Sequence, residues 1–316
     1  MLRSQCVVGI LALGLLAGTA LAQNYPTRPI RIVTTVSGGS QDLTARLLVQ
    51  KLTARLGQQV IVDNRGGVVS MELVAKAPAD GYTLLLASGS LWTSQFLRDD
   101  VSWDPLKDYA PISLLVSSPN ILVVHPSVPV KTVKDLIDLV KSKKGQFNYS
   151  SGQSGSSSHI AGELFKSMAG VEIVRVAYKG QGPAMLSLMT AETQISFPNA
   201  ASATPFMKSG KIKPIAITTL QPSALAPDLP TVAASGVPGY ESKAMLGMFA
   251  PSKTPAALIN LLNKEIAAAL NSLDVKQRLF ESGAEPIGGT PAQMTAEMKS
   301  EITLTGKLLK NVSIRE

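Results

Sequence analysis

The sequence predicts an α/β protein of two lobes with a ligand cleft between them, and three observations carry that prediction. Strand-like and helix-like stretches alternate along the chain, which implies sheets of parallel strands covered by helices. A strand, a loop of small residues and a helix follow one another twice, once through Ser37-Gly38-Gly39-Ser40 and again through Ser154-Gly155-Ser156-Ser157-Ser158. The only long apolar run lies at the N-terminus, Val7 to Leu21.

That run follows Arg3 and ends in Ala20-Leu21-Ala22. A basic start, an apolar core of about fifteen residues and a small-x-small ending form the secretory signal pattern, and the core is too short to span a bilayer comfortably. We expect cleavage after Ala22, with residues 1–22 as signal peptide and a soluble product in the periplasm. Cys6 precedes the apolar core, so the mature chain carries no thiol, and disulfides, metal thiolates and a cysteine nucleophile are excluded together. Removal of residues 1–22 leaves 29 basic against 22 acidic side chains. They are scattered, with few aromatics beside them, whereas a nucleic-acid surface wants a basic stripe with stacking rings. A mild positive field suits an anionic small molecule.

In the first lobe, strands are expected at Ile30–Thr34, Val60–Asp63 and Tyr82–Ala87, in a parallel sheet. A helix at Leu43–Leu56 presents Leu43, Leu47, Leu48 and Leu52 on one side. Ligands of such sheets sit beyond the carboxyl ends of the strands, where the Ser37–Ser40 loop and Ser88-Gly89 both fall. The strand Ile121–Val124, stopped by Pro126, is expected to carry the chain across to the second lobe. There we expect a helix at Val133–Lys141, a strand at Phe147–Ser150, then the serine loop and a helix from about His159, capped by Ser156, Ser157 or Ser158 and carrying Ile160, Ala161, Leu164, Phe165 and Met168. Strands at Val171–Val176, Gln194–Phe197 and Ile212–Thr218 follow, and Pro214 assigns the last to an edge. After a proline-rich passage, helices Pro255–Leu270, Val275–Ser282 and Pro291–Leu309 are expected to return to the first lobe. The domain expectation is 23–124 with 229–316, and 125–228.

The free N–H groups of a helix's first turn and the positive end of its dipole favour an anion in front of each loop. Asp42 reads as a favourable first-turn acid, His159 as a structural donor or cap, His125 as a strand end, and Lys179 as a solvated lysine. Trp92, beyond the end of strand Tyr82–Ala87, could narrow the pocket and stack on a flat ligand; equally, it could be a partly buried lobe residue.

An ordered set of segments resembles the Bug-type receptors, the extracytoplasmic solute-binding proteins of tripartite tricarboxylate transporters. The set comprises Tyr25-Pro-Thr-Arg-Pro-Ile30, Gly38-Gly39 with Asp42, Leu56-Gly-Gln-Gln-Val60 with Asn64-Arg65, Asp80-Gly-Tyr-Thr-Leu84 and Val124-His-Pro-Ser127. It continues through Gly155-Ser-Ser-Ser-His159 with Gly162-Glu-Leu-Phe165, Tyr178-Lys-Gly180, Leu229-Pro-Thr-Val232 and Phe249-Ala-Pro251. The resemblance implies a type II periplasmic binding protein that acts as a monomer without a cofactor and passes a small carboxylate to a membrane permease. It assigns ligand contacts to Ser37, Gly38, Gly39, Ser40, Ser88, Gly89, Ser154 to Ser158 and Asn199. Two departures stand out: Ser37 replaces the family's proline, and the loop after Arg65 is shortened to Gly66-Gly-Val-Val-Ser70.

The competing enzyme reading is a secreted serine hydrolase. A nucleophile elbow needs glycine two residues on either side of the serine, and around Ser154 the chain has Gly152 but Ser156. Two histidines without paired spacing offer no catalytic metal set, and Gly180-Gln-Gly182-Pro183 lacks the third glycine of a dinucleotide loop. A third reading keeps the binding fold but feeds a sensor rather than a permease.

Overall fold

The computed structural model describes residues 25–35, 37 and 40–310; the expected cleavage site, Cys6, Gly38 and Gly39 lie outside them. Strand β1 (Ile30–Thr34) pairs in parallel with β2 (Val60–Asn64) and β3 (Thr83–Ser88). Successive strand side chains point to opposite faces, so Ile30, Ile32, Leu84 and Leu86 enter one core while Val33, Leu85 and Ala87 enter another. Burial on both faces is why these strands are almost continuously apolar. Helix α1 (Ser40–Leu56) buries Leu47, Leu48 and Leu52, whereas Leu43, expected on the same stripe, is 38% exposed in the first turn. Helix α2 (Gly67–Ala75) follows β2, and β3 leads through the one-turn helix α3 (Ser90–Thr93) to β4 (Tyr109–Pro119).

The second lobe is built from β5 (Ile121–Val124), α4 (Val133–Ser142), β6 (Asn148–Ser151), α5 (Ser157–Ala169), β7 (Val174–Ala177), α6 (Gln181–Met189), β8 (Ile195–Ser196), α7 (Ala200–Lys208) and β9 (Lys213–Ile217). Its strand order is β7-β6-β8-β5-β9, with β6 parallel to β7 and β8, and β5 antiparallel to β8 and β9. Pro214 does sit on an edge strand, beside a register shift. Helix α5 starts at Ser157 rather than His159, with Ser156 as N-cap, and Met168 near its other end is 40% exposed. The Gly162-Glu163 pair in it has a packing reason. A Cβ at Gly162 would stand 2.3 Å from the Tyr149 ring, whose hydroxyl donates to the buried Glu163 at 2.6 Å.

Two expectations about the crossings change. Ile121–Val124 belongs to the second sheet, so the chain leaves the first lobe at Pro119–Asn120. Residues 229–241 stay with the second lobe as well: Thr231 bridges Ile217, Val232, Val237 and Tyr240 enter its core, and the Tyr240 hydroxyl donates to Ala161 O at 2.8 Å. The return therefore falls at Ser242, before β10 (Lys243–Pro251). The prolines of the passage keep it free of regular strands without ending the lobe.

The first sheet is mixed rather than parallel. Strand β10 inserts between β3 and β4, antiparallel to both. Lys243 enters opposite Pro119, the edge from which β4 leaves, so β10 must run against β4. Helices α8 (Ala256–Leu270) and α9 (Leu273–Glu281), the edge strand β11 (Glu285–Pro286) and helix α10 (Pro291–Lys310) complete the fold. The last helix serves both lobes: Met294 and Met298 are buried in the first, while Leu304 and Leu308 pack on the core of the second.

Candidate functional site

The carboxyl ends of β1 and β3 in one lobe, and of β6, β7 and β8 in the other, open into the loops singled out above. This is where helix N-termini collect in such sheets.

In the first lobe, Asp42, in the first turn of α1 as expected, also acts as a tie. Its nearly buried carboxylate accepts from Asn64 Nδ2 at 2.9 Å, Arg46 Nε at 3.0 Å and Ser37 Oγ at 3.4 Å. Asn64 also donates to Thr35 O at 2.8 Å, so the end of β2 clamps both shoulders of the loop. Ser40 is exposed and opens α1. At the end of β3, Ser88 Oγ lies 3.0 Å from Ser90 Oγ, and Gly89 O accepts from Trp92 N, Thr93 N and Thr93 Oγ1.

Trp92 is not a cleft wall. Its ring is fully buried in the first-lobe core, edge-on to Phe249 at 6.5 Å between centroids, and the expected stacking on a flat ligand is withdrawn. The physical reason is local: α3 turns its apolar side chains back under the sheet, and the indole fits beneath Gly89, where a Cβ would stand 3.6 Å from the ring. Trp103 is buried as well, donating to Leu91 O at 2.8 Å.

In the second lobe, the serine hydroxyls mostly shape their own loop. Ser158 Oγ accepts from Gly152 N at 3.0 Å, Ser156 Oγ accepts from His159 N at 3.4 Å, and the two oxygens lie 3.1 Å apart. Gly155 adopts φ +78°, a conformation that favours glycine. Its N–H donates to His159 Nδ1 at 3.0 Å, so the histidine is an acceptor here, not the donor anticipated. With Nδ1 accepting, the neutral ring carries its proton on Nε2, which is buried and has no hydrogen-bond partner. Burial first, then the cations of Arg175 and Lys166, push its pKa down to about 3. The first-turn N–H groups of α5 have no intrahelical acceptor; that of His159 goes to the Ser156 cap, and those of Ser157 and Ser158 are the donors the loop could offer a ligand.

Sequence reasoning missed Arg175. From β7 its guanidinium donates to Ser151 Oγ at 2.8 Å, Ser154 Oγ at 3.0 Å and Gly152 O at 3.2 Å, fixing the loop's course and placing a cation against it. The available signal was a charged residue inside an apolar strand. Gln153 Nε2 donates to Lys179 O at 3.2 Å, while the Lys179 side chain is exposed, as expected. Asn199 is the N-cap of α7, accepting from Ser202 N at 2.9 Å, so its amide serves the helix. His125 ends its strand with Nδ1 2.7 Å from Ser127 Oγ. In this loop His159 Nδ1 accepts from Gly155 N and Ser154 Oγ accepts from Arg175 Nη1.

The lobes touch between α3 and the serine loop. Thr93 Oγ1 donates to Gly155 O at 3.4 Å, and a Cβ on Gly155 would stand 2.9 Å from Leu97 and 3.0 Å from Thr93 Oγ1. The arrangement can hold an anion between two helix N-termini, with Arg175 adding positive potential on one side.

The family model described as "Tripartite tricarboxylate transporter family receptor" matches residues 44–314. Protein BugT of Bordetella pertussis is 34% identical over 309 residues, covering 96% of this chain and 95% of its own. Among solved structures, Rpa4515 of R. palustris with adipate superposes with a TM-score of 0.81 at 36% identity, covering 90% of this chain and 97% of that one. MatC of Rhodopseudomonas palustris with bound malate superposes with a TM-score of 0.78 at 28% identity, covering 90% and 100%. The chain belongs to the tripartite tricarboxylate transporter receptor family.

Proposed function

We propose that this receptor captures a small carboxylate in the periplasm, between its two lobes, and presents it to the membrane permease of a tripartite transporter. The observation that carries the reading is the α5 N-terminus, whose loop is braced by Arg175 and touches α3 of the first lobe. The adipate and malate on its structural relatives support the ligand class. Among the described residues no helix is long and apolar enough to cross a membrane.

The proposed contacts are the backbone around Ser37 to Ser40, the Ser88-Gly89 turn, and Ser154 to Ser158, with capture by closure. A micromolar affinity requires about −8 kcal/mol. Two helix dipoles at roughly 0.3–1 kcal/mol each fall short, so several charge-assisted hydrogen bonds at about 1.5–3 kcal/mol must contribute, less the cost of closing.

Thermal unfolding with adipate, malate and adipamide tests the reading. At a hundredfold excess over Kd a bound diacid stabilises by about 2.7 kcal/mol, a rise of several degrees in Tm for a chain of this size. Equal shifts with adipate and adipamide, or no shift with either acid, would overturn carboxylate recognition. Transport partnership is tested separately, by uptake of the bound acid in a host carrying the receptor with and without the adjoining permease.

A further inference from the structure

The two passages between the lobes meet at one residue, Asn120, which no motif singled out. It lies between β4 and β5, in different sheets, and is fully buried. Its side-chain amide donates to Phe197 O at 2.6 Å and to Ser157 Oγ at 3.3 Å, reaching the first residue of α5. Its backbone bridges Asn199, the cap of α7. Its carbonyl accepts from Thr218 N at 3.0 Å and Thr218 Oγ1 at 2.7 Å. That same hydroxyl lies 2.6 Å from Ser242 O, and Ser242 N donates to Thr218 O at 2.9 Å, so the return passage is tied into the same knot. One buried residue thus joins the first crossing, the second crossing and the helix that opens the candidate site.

Asn120 Oδ1 is buried without a hydrogen-bond partner. Such a group costs stability relative to an apolar filler, and a residue kept at that cost points to work beyond packing. The chain crosses between the lobes at 119–121 and at 242, so a change in the angle between them would be taken up there. The Asn120 amide is the most direct polar route by which that change reaches Ser157.

We infer that Asn120 is a positioning residue that couples the lobe angle to the placement of the α5 N-terminus, so that the anion-binding N–H groups are aligned only when the lobes are closed. This rests on the carboxylate-capture reading for its ligand, but the coupling itself is measurable without one.

The test compares wild type with Asn120→Ala, Thr218→Val, Ser157→Ala and the Asn120→Ala/Ser157→Ala pair. Amide hydrogen exchange of the unliganded proteins is the first readout. Coupling predicts that Asn120→Ala and Thr218→Val speed exchange at residues 155–159 roughly tenfold, with β6 and β8 unchanged; a merely structural role would speed exchange across the whole lobe. The second readout is affinity for adipate and malate by calorimetry. Asn120→Ala should weaken the acid that binds roughly tenfold, and the double variant should be no weaker than Asn120→Ala alone. Unchanged exchange at 155–159, uniform exchange throughout the lobe, or additive losses of affinity would overturn the coupling. If wild type binds neither acid, the carboxylate reading fails, while the exchange measurement still decides the role of Asn120.

Discussion

The first-lobe loop and the serine loop stand at equivalent ends of their sheets, yet opposite charges brace them. Behind the first is Asp42, an anion paired with Arg46 and hydrogen-bonded by Asn64; behind the second is Arg175, a cation that donates to Ser151 Oγ, Ser154 Oγ and Gly152 O. On the proposed carboxylate reading, the second lobe supplies more of the attraction, whereas the first supplies shape and a closing surface.

The largest effect that could break this picture is steric. Gly155→Val places a side chain in the left-handed region and drives it into Leu97 and Thr93. Backbone strain of about 1–2 kcal/mol and overpacking of about 1–3 kcal/mol add, so affinity for adipate should drop by roughly two orders of magnitude. Pairing it with Leu97→Ala should restore part of that loss. Full affinity in Gly155→Val would show that the lobes do not meet over this glycine when ligand is bound.

Next come the two braces. Arg175→Met removes a cation and three hydrogen bonds and should weaken dianion binding roughly tenfold or more. Asp42→Asn should lower stability by about 1–2 kcal/mol while changing affinity less than about threefold, since the carboxylate holds the loop without contributing attraction. Calorimetry on both, at low and moderate salt, reads the difference; a larger affinity loss in Asp42→Asn would reverse the assignment of roles.

Two other groups, the buried His159 and the partly buried Glu301, make stability depend on pH in opposite directions. His159 has a folded pKa of about 3 against an ordinary value near 6.5, so protons bind the unfolded chain first as pH falls. Stability is complete above pH 6.5 and falls toward pH 3, by about 2 kcal/mol between pH 6.5 and pH 5. His159→Asn keeps an acceptor near Nδ1 and should remove that slope, as denaturant melts at pH 5 and 7 would reveal. Glu301 on α10 slopes the other way. Burial lifts its pKa to about 7, Lys243 opposing and Glu297 and Glu241 adding to the rise, so its ionisation costs stability as pH climbs from 4.5 through 7. Glu301→Gln should gain about 1 kcal/mol at pH 8, after allowance for partial exposure, and nothing at pH 4. The smallest effect is Ser37→Ala: its hydroxyl reaches Asp42 only at 3.4 Å, and affinity should move by less than about twofold.

Much of this was legible in the chain. Alternating apolar strands gave β1, β3 and the helices on them, because burial on both faces leaves a continuous signature. Pro214 marked an edge, and the paired small-residue loops do stand at the carboxyl ends of their strands. The crossings were not legible. Ile121–Val124 reads as a core strand of either sheet, and which one it joins is decided by pairing with Ile195 and Ala216, far along the chain. Trp92 misled for a related reason: sequence places it near a strand end, but only the turn of α3 decides whether the ring faces the cleft or the core. Arg175 offers only the weak local signal of a charge inside an apolar strand, and Asn120 offers none. Their roles come from hydrogen bonds to residues about twenty to a hundred positions away.

The chain's late return to the first lobe has a consequence for its birth. The first sheet lacks a central strand until residues 243–251 exist, and Leu304 and Leu308 pack on the core of the second lobe from far along the chain. Domains ordinarily fold as they emerge from the ribosome. Here the first lobe has to wait for a segment made after the whole second lobe, so the lobe that begins first is the later of the two to gain its full sheet.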